Sequence, residues 1–229
     1  TEEYRQNLKR SVQRQRELNE TQLRMLQAQL NPHFLYNTLD CMKWLGVANH
    51  VPQIADMSTD LAALLRAGIS GSELIPLEDE LELVRQYLNI QEIRFEDRFV
   101  CEIDVDERFQ HCIVPKMVLQ PLVENAIIHG VADLEEGYIK LWAEADGGDL
   151  LLRVSDNGRG IAPEVLARLE QHQDIPGGHL GLTNVDHIIR LYYGADYGLS
   201  ASSDGKTGSC VTLRLPMKKG DGYAEGTDR

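Results

Sequence analysis

Asn31-Pro32-His33-Phe34-Leu35-Tyr36-Asn37 sets a histidine beside a proline within an otherwise helical pattern. Before it, Leu23, Leu26 and Leu30 recur at helical spacing, and after it Phe34, Cys41, Trp44 and Leu45 continue, with His33 near the edge of that stripe. A proline in a helix interior removes a backbone donor and costs roughly 3 kcal/mol, so its presence needs a reason. One reason is a helix start, with Asn31 as N-cap and Pro32 as first helical residue. The other is a kink that exposes a nucleophilic imidazole to a partner domain. The heptapeptide alone favours the helix start, and motifs further along the chain turn the balance toward the imidazole.

With 229 residues there is room for one large or two ordinary domains, and 42% apolar content is normal for a soluble globular protein. The net charge of -13 is uneven: residues 1–30 carry six basic and four acidic side chains, residues 73–229 fifteen and twenty-nine. So acidic a main body argues against direct nucleic-acid binding. Cys41, Cys101, Cys112 and Cys210 have no metal-ligand or disulfide-framework spacing, which fits a reducing cytosol. No apolar run of membrane-spanning length occurs. Because the chain starts at Thr1 without an initiator Met, the expectation is a fragment whose membrane part is missing.

Outward from the heptapeptide, residues 1–30 read as a long N-terminal helix whose sparse apolar positions suit a coiled coil. Residues 31–72 read as two helices, broken at Gly46 to Pro52 and ended by Gly68 and Gly71. Alone they make too small a core, so doubling into a four-helix bundle, hence a homodimer, is the economical solution. Residues 73–216 form the second domain: a helix from Leu77 to about Arg94, a strand near Val100–Val105, and an apolar helix over Val118–His129. A hairpin follows over Tyr138–Ala145 and Leu150–Ser155 around Asp146-Gly147-Gly148-Asp149. Then come a polar loop through Pro176, a helix to about Tyr193, and a second hairpin, Leu199–Ser203 with Cys210–Leu215. Residues 217–229 read as a disordered tail.

Three motifs in this domain point to a bound nucleotide. Asn125 on a helix offers a neutral oxygen to a magnesium ion, and His129, four residues on, shares its face. Asp156-Asn157-Gly158-Arg159-Gly160 follows a strand: a carboxylate there can accept from the exocyclic amine of a buried base, and its glycines admit close backbone approach. Gly177, Gly178 and Gly181 head a helix and offer bare backbone donors to phosphates. Each has an ordinary structural explanation alone; their order and spacing together do not.

These residues resemble the LytS/YesM-type sensor histidine kinases over nearly the whole chain. Leu30 to Asn37 is similar to that family's phosphoacceptor box, and Tyr87-Leu88, Ile90-Gln91 and Arg94-Phe95 to its linker helix. Leu119 to Ala126 with His129-Gly130 resembles the N box, Asp156 to Gly160 the G1 box and Gly177 to Asn184 the G2 box. The resemblance implies an α plus α/β architecture. A helical hairpin would dimerise for phosphotransfer, followed by an α/β sandwich of the GHKL (Bergerat) ATPase type.

By matching position, His33 would accept the γ-phosphate of ATP, Asn125 would hold Mg2+ and Asp156 would read adenine. Gly158, Gly160, Gly178 and Gly181, with His129, Leu180 and Leu182, would shape the nucleotide pocket, and residues 162–176 would be its lid. The phosphohistidine would then serve an aspartate in the receiver domain of a response regulator. Phe34 stands where many histidine kinases have an acid, so Glu124 is the candidate base and Asn37, one turn beyond His33, a candidate for phosphatase chemistry. Pro121 replaces the water-activating Glu of hydrolytic relatives, favouring transfer over hydrolysis, and His179 takes a usual glycine position. Two other classes compete: a nucleotide-binding conformational switch without phosphotransfer, and a metal hydrolase built on the seven histidines, which no HxxxH spacing supports.

Overall fold

The computed structural model describes residues 32–69, 72–173 and 180–218, so the N-terminal helix expected over 1–30, Gly177, Gly178, His179 and residues 219–229 lie outside the described residues. The chain divides into two compact units, the first ending at Ile69.

The first unit is a hairpin of α1 (Pro32–Ala48) and α2 (Pro52–Ile69). Gly46 allows the two helices to meet: a Cβ there would stand 2.8 Å from the Ala55 backbone nitrogen. Pro52 opens α2 with its fixed φ, and α2 runs through Gly68 before ending. Leu39, Ala55, Ser58 and Leu64 are buried between the helices, with the Ser58 hydroxyl donating to the Ile54 carbonyl at 2.7 Å. The apolar stripe read from the sequence lies elsewhere: Phe34, Cys41, Trp44 and Leu45 are all exposed.

The second unit opens with β1 (Leu74–Pro76) and α3 (Leu77–Arg94), and continues with β2 (Phe99–Asp104), α4 (Glu107–Gln110) and β3 (Ile113–Pro115). After α5 (Gln120–Asn125) and a π-helical turn (Ala126–Val131) come β4 (Gly137–Asp146) and β5 (Asp149–Asp156). The last elements are α6 (Pro163–Glu170), α7 (Leu180–Tyr193), β6 (Gly198–Ser203) and β7 (Ser209–Pro216). The main sheet has the order β2-β4-β5-β7-β6, with β2 and β4 parallel and every other pair antiparallel. β1 and β3 form a separate antiparallel pair. The β4–β5 hairpin turns on Gly147 at φ 62, a left-handed conformation that glycine adopts without strain.

Alternation sorts the sheet into two faces. Leu150, Leu152 and Val154 of β5 and Val211, Leu213 and Leu215 of β7 are buried, as are Leu182, Val185 and Ile189 at helical spacing on α7. The other face is polar and laced with ion pairs, such as Lys140 with Glu102 at 2.8 Å and Arg214 with Asp149 at 2.6 Å. Met217 and Lys218 continue past β7, Met217 donating to the Gly148 carbonyl and Lys218 accepting from Ile113 N–H.

Two elements differ from the sequence expectation. The polar loop through Pro176 contains α6, which Pro163 opens at its first turn and Leu169 anchors in the core. The apolar helix expected over Val118–His129 starts at Gln120, because Pro121 sits in its first turn, and it passes into a π turn at Ala126. Among the described residues no helix is long and apolar enough to cross a membrane.

Candidate functional site

Asp156 ends β5 with both carboxylate oxygens engaged. Oδ1 accepts from the Gly158 backbone N–H at 2.9 Å and Oδ2 from the Ser209 hydroxyl at 2.5 Å. Ser209 arrives from the neighbouring strand, since the β5–β7 register sets it opposite Asp156. Glycines let the backbone close around this pair. A Cβ on Gly130 would stand 2.7 Å from Asp156 Oδ1, one on Gly158 2.2 Å from the Gly130 carbonyl oxygen, and one on Gly208 2.1 Å from the Asp156 carbonyl oxygen. No side chain tolerates such distances.

Ser209 opens onto a cleft of ≈ 310 Å³ lined also by Asn125, His129, Gly130, Gly160 and Ile161. A second cleft of ≈ 260 Å³ shares Asn125 and His129 and is walled by Pro121, Glu124, Ile128, Gly181 and Leu182. Glu124 and Asn125 are successive residues at the end of α5, the first exposed and the second buried. The π turn that follows adds one residue to the helical cycle, a distortion that recurs at functional sites. Its carbonyl at His129 accepts from Arg159 Nε at 2.8 Å, which ties the Asp156–Gly160 loop to the end of the helix. Pro121, besides starting α5, packs under Gly181, whose Cβ position lies 3.1 Å from the proline ring. In the first unit His33 is exposed on α1, and the Asn37 amide nitrogen, one turn on, lies 3.2 Å from its Nδ1.

Two family models match the chain: "Histidine kinase" over residues 21–99, and "Histidine kinase-, DNA gyrase B-, and HSP90-like ATPase" over residues 113–219. Sensor histidine kinase YesM of Bacillus subtilis (strain 168) is 36% identical over 92% of the chain. The chain belongs to the sensor histidine kinases. Sensor protein LytS of the same organism is 30% identical over 92% of the chain, and sensor histidine kinase YpdA of Escherichia coli (strain K12) 34% over 77%. The chain spans only 36%, 37% and 31% of those three relatives. The fold is also that of the histidine kinase domain from Erythrobacter litoralis EL346, with a TM-score of 0.50, 17% identity, and coverage of 82% of this chain and 94% of that one. The catalytic domain of histidine kinase ThkA matches with a TM-score of 0.50 and 19% identity, over 64% of this chain and 97% of that one.

Within this chain, Asn125, His129 and Gly160 line the first cleft and Glu124, Gly181 and Leu182 the second, while Asp156 and Gly158 build the wall behind Ser209. Gly178 lies outside the described residues, as does the side chain of Leu180. Sequence reasoning missed Ser209 and Ile161, and it counted Gly130 in the N box without giving it a place in the pocket. Ser209 could have been found from Gly208-Ser209 heading a strand that pairs with the one ending in Asp156. Among the described residues no three His, Cys, Asp or Glu gather as a metal cluster, so the metal-hydrolase reading gains no support.

One further titratable group sits beside the site. Glu80 of α3 is fully buried, and its carboxylate accepts from Met117 N–H at 2.7 Å and Leu119 N–H at 2.9 Å. Burial pushes its carboxyl up to about 7, against the opposing pull of those backbone donors and of Lys116. A folded pKa raised above the unfolded value gives stability that is full below about 4.5 and lost as pH rises through about 7. A rise of that size corresponds to about 3 kcal/mol. Urea unfolding at pH 5 and pH 8 is therefore expected to show the wild type losing stability across this window relative to Glu80→Gln, in which that contribution is absent.

Proposed function

We propose that this chain is the core of a two-component sensor kinase, transferring the γ-phosphoryl group of ATP to His33 and then to an aspartate of a response regulator's receiver domain. The observation that carries the reading is the carboxylate of Asp156, held between Gly158 N–H and Ser209 at the back of a glycine-walled cleft that also reaches Asn125. A carboxylate so placed accepts from an exocyclic amine, as adenine offers, and the missing side chains of Gly130 and Gly158 let the backbone close tightly around it and fix its position. The Asn125 amide oxygen is a hard donor suited to magnesium together with phosphate oxygens. When bound, that ion neutralises phosphate charge.

In the transfer step an imidazole nitrogen of His33 forms a bond to the γ-phosphorus as the bond to the β,γ-bridging oxygen breaks, and ADP leaves with that electron pair. Asn37 stands at Nδ1 of the ring. With its amide oxygen turned inward it would hold Nδ1–H and leave the Nε2 lone pair outward for attack. Glu124, exposed in the second cleft, stays the candidate proton acceptor. Calorimetric titration tests the assignment of Asn125: Asn125→Ala is expected to weaken Mg-ATP binding by about tenfold or more, while adenosine binding is retained. Equal affinity for Mg-ATP in both proteins would remove Asn125 from the metal site.

The same proposal makes the kinase a homodimer through its hairpin. Trp44, Leu45, Ile54 and Leu61 are 68%, 57%, 45% and 42% exposed on two helices that bury few side chains of their own. Covering what remains exposed of each is worth about 1 kcal/mol, and a second hairpin laid against them completes a four-helix bundle. Sedimentation is expected to find a dimer for the wild type and a monomer for Leu45→Glu. Membrane attachment upstream and the cytoplasmic location belong to the same proposal.

A further inference from the structure

Glu80 is a buried ionisable group that the transfer chemistry does not use, and its partners lie far away in sequence. It sits in the first turn of α3, while the N–H groups it receives belong to Met117 and Leu119, at the mouth of α5. Met117 holds a φ of 61, a left-handed conformation that costs a non-glycine residue free energy unless its surroundings fix it. Leu119 is the residue preceding α5, and its carbonyl in turn accepts from Leu122 and Val123 N–H at 3.1 Å. The first turn of α5 therefore hangs on the Glu80 carboxylate, and Glu124 and Asn125 close the same short helix. Two turns along α3, on the same face, the buried Tyr87 hydroxyl is pushed up by burial and then by the negative charge of Glu124. One face of α3 thus meets α5 at both ends.

We propose that Glu80 is a positioning residue for the nucleotide site, its carboxylate setting the height and rotation of α5 so that Asn125 meets the magnesium and phosphates of bound ATP. The inference rests on the nucleotide reading above. Its chemistry requires a carboxylate, because two N–H groups need two acceptor oxygens. A Gln of the same shape offers one oxygen, and its amide N–H then faces the second donor. The Asp156–Ser209 pair at the adenine end is held by β5 and β7, two strands this contact does not reach, and its link to α5 runs through the π turn at His129 and Gly130, beyond Asn125.

The test compares adenosine and Mg-ATP binding by calorimetry at pH 8 in the wild type, Glu80→Gln and Asn125→Ala. The expected result for Glu80→Gln is adenosine affinity equal to wild type with Mg-ATP affinity reduced about tenfold, the same pattern as Asn125→Ala in milder form. Equal loss of both ligands would overturn the proposal in favour of a fold-wide role, and no loss of either would overturn it outright. If the wild type binds neither ligand, the nucleotide reading itself fails and takes this inference with it.

Discussion

Replacing His33 by Gln is expected to reduce ATP-dependent phosphorylation of the chain to background while nucleotide binding persists. Gln keeps a polar side chain of similar reach on an exposed position of α1, so the hairpin loses no core contact. It lacks the ring nitrogen whose lone pair forms the new bond to phosphorus. The described residues that line the two clefts all belong to the second unit. Filter binding of labelled ATP alongside autophosphorylation separates the two properties. Residual phosphorylation of His33→Gln at the wild-type level would move the acceptor elsewhere.

Gly158→Ala is expected to abolish nucleotide binding without any change of charge or polarity. The added methyl would stand 2.2 Å from the Gly130 carbonyl oxygen and 2.3 Å from its carbonyl carbon, and backbone on both sides must move to relieve it. Gly130 lines the first cleft, and Gly158 N–H is the donor that holds Asp156 Oδ1, so any such movement reshapes the wall that faces the base. Overpacking of this kind costs about 1–3 kcal/mol in stability, and the affinity loss follows from displacement of the carboxylate. Gly148→Ala is the matched control, since nothing lies within 4 Å of its Cβ position. Adenosine titration should find binding lost in the first variant and unchanged in the second.

Much of this arrangement could be read from local pattern. The β4–β5 hairpin announced itself through alternation on either side of Asp146-Gly147-Gly148-Asp149, and α3 was placed at Leu77–Arg94 by its apolar spacing. Asp156 stood out because it ends a strand and precedes two glycines. What stayed hidden depends on pairing across long stretches of chain. Ser209 meets Asp156 only through the β5–β7 register, and a hairpin reading of β6 and β7 does not say which strand lies on the other side of β7. Glu80 is one of three acids, with Glu78 and Asp79, in the first turn of α3, a position where acids ordinarily face solvent and complement the helix dipole. Only its neighbours 37 and 39 residues away distinguish it. α6 was masked by its polar surroundings, its core contact resting on the single buried Leu169.

The apolar stripe of α1 carries a different lesson. Helical spacing found Phe34, Cys41, Trp44 and Leu45 correctly as one set, but within the hairpin they are exposed, and α1 meets α2 instead through Leu39 and Gly46. Periodicity locates an apolar face and leaves open whether the same chain or another one covers it.

The measurement that tests the account most directly is incubation of the purified chain with γ-labelled ATP and magnesium, followed by treatment of the labelled protein with acid and with alkali. A phosphoryl group on a histidine nitrogen is predicted: label lost in acid, kept in alkali, and recovered on the peptide containing His33. Label that survives acid would contradict it by placing the phosphate on another side chain, and a chain that binds ATP yet takes up no label would leave the nucleotide-binding switch in its place.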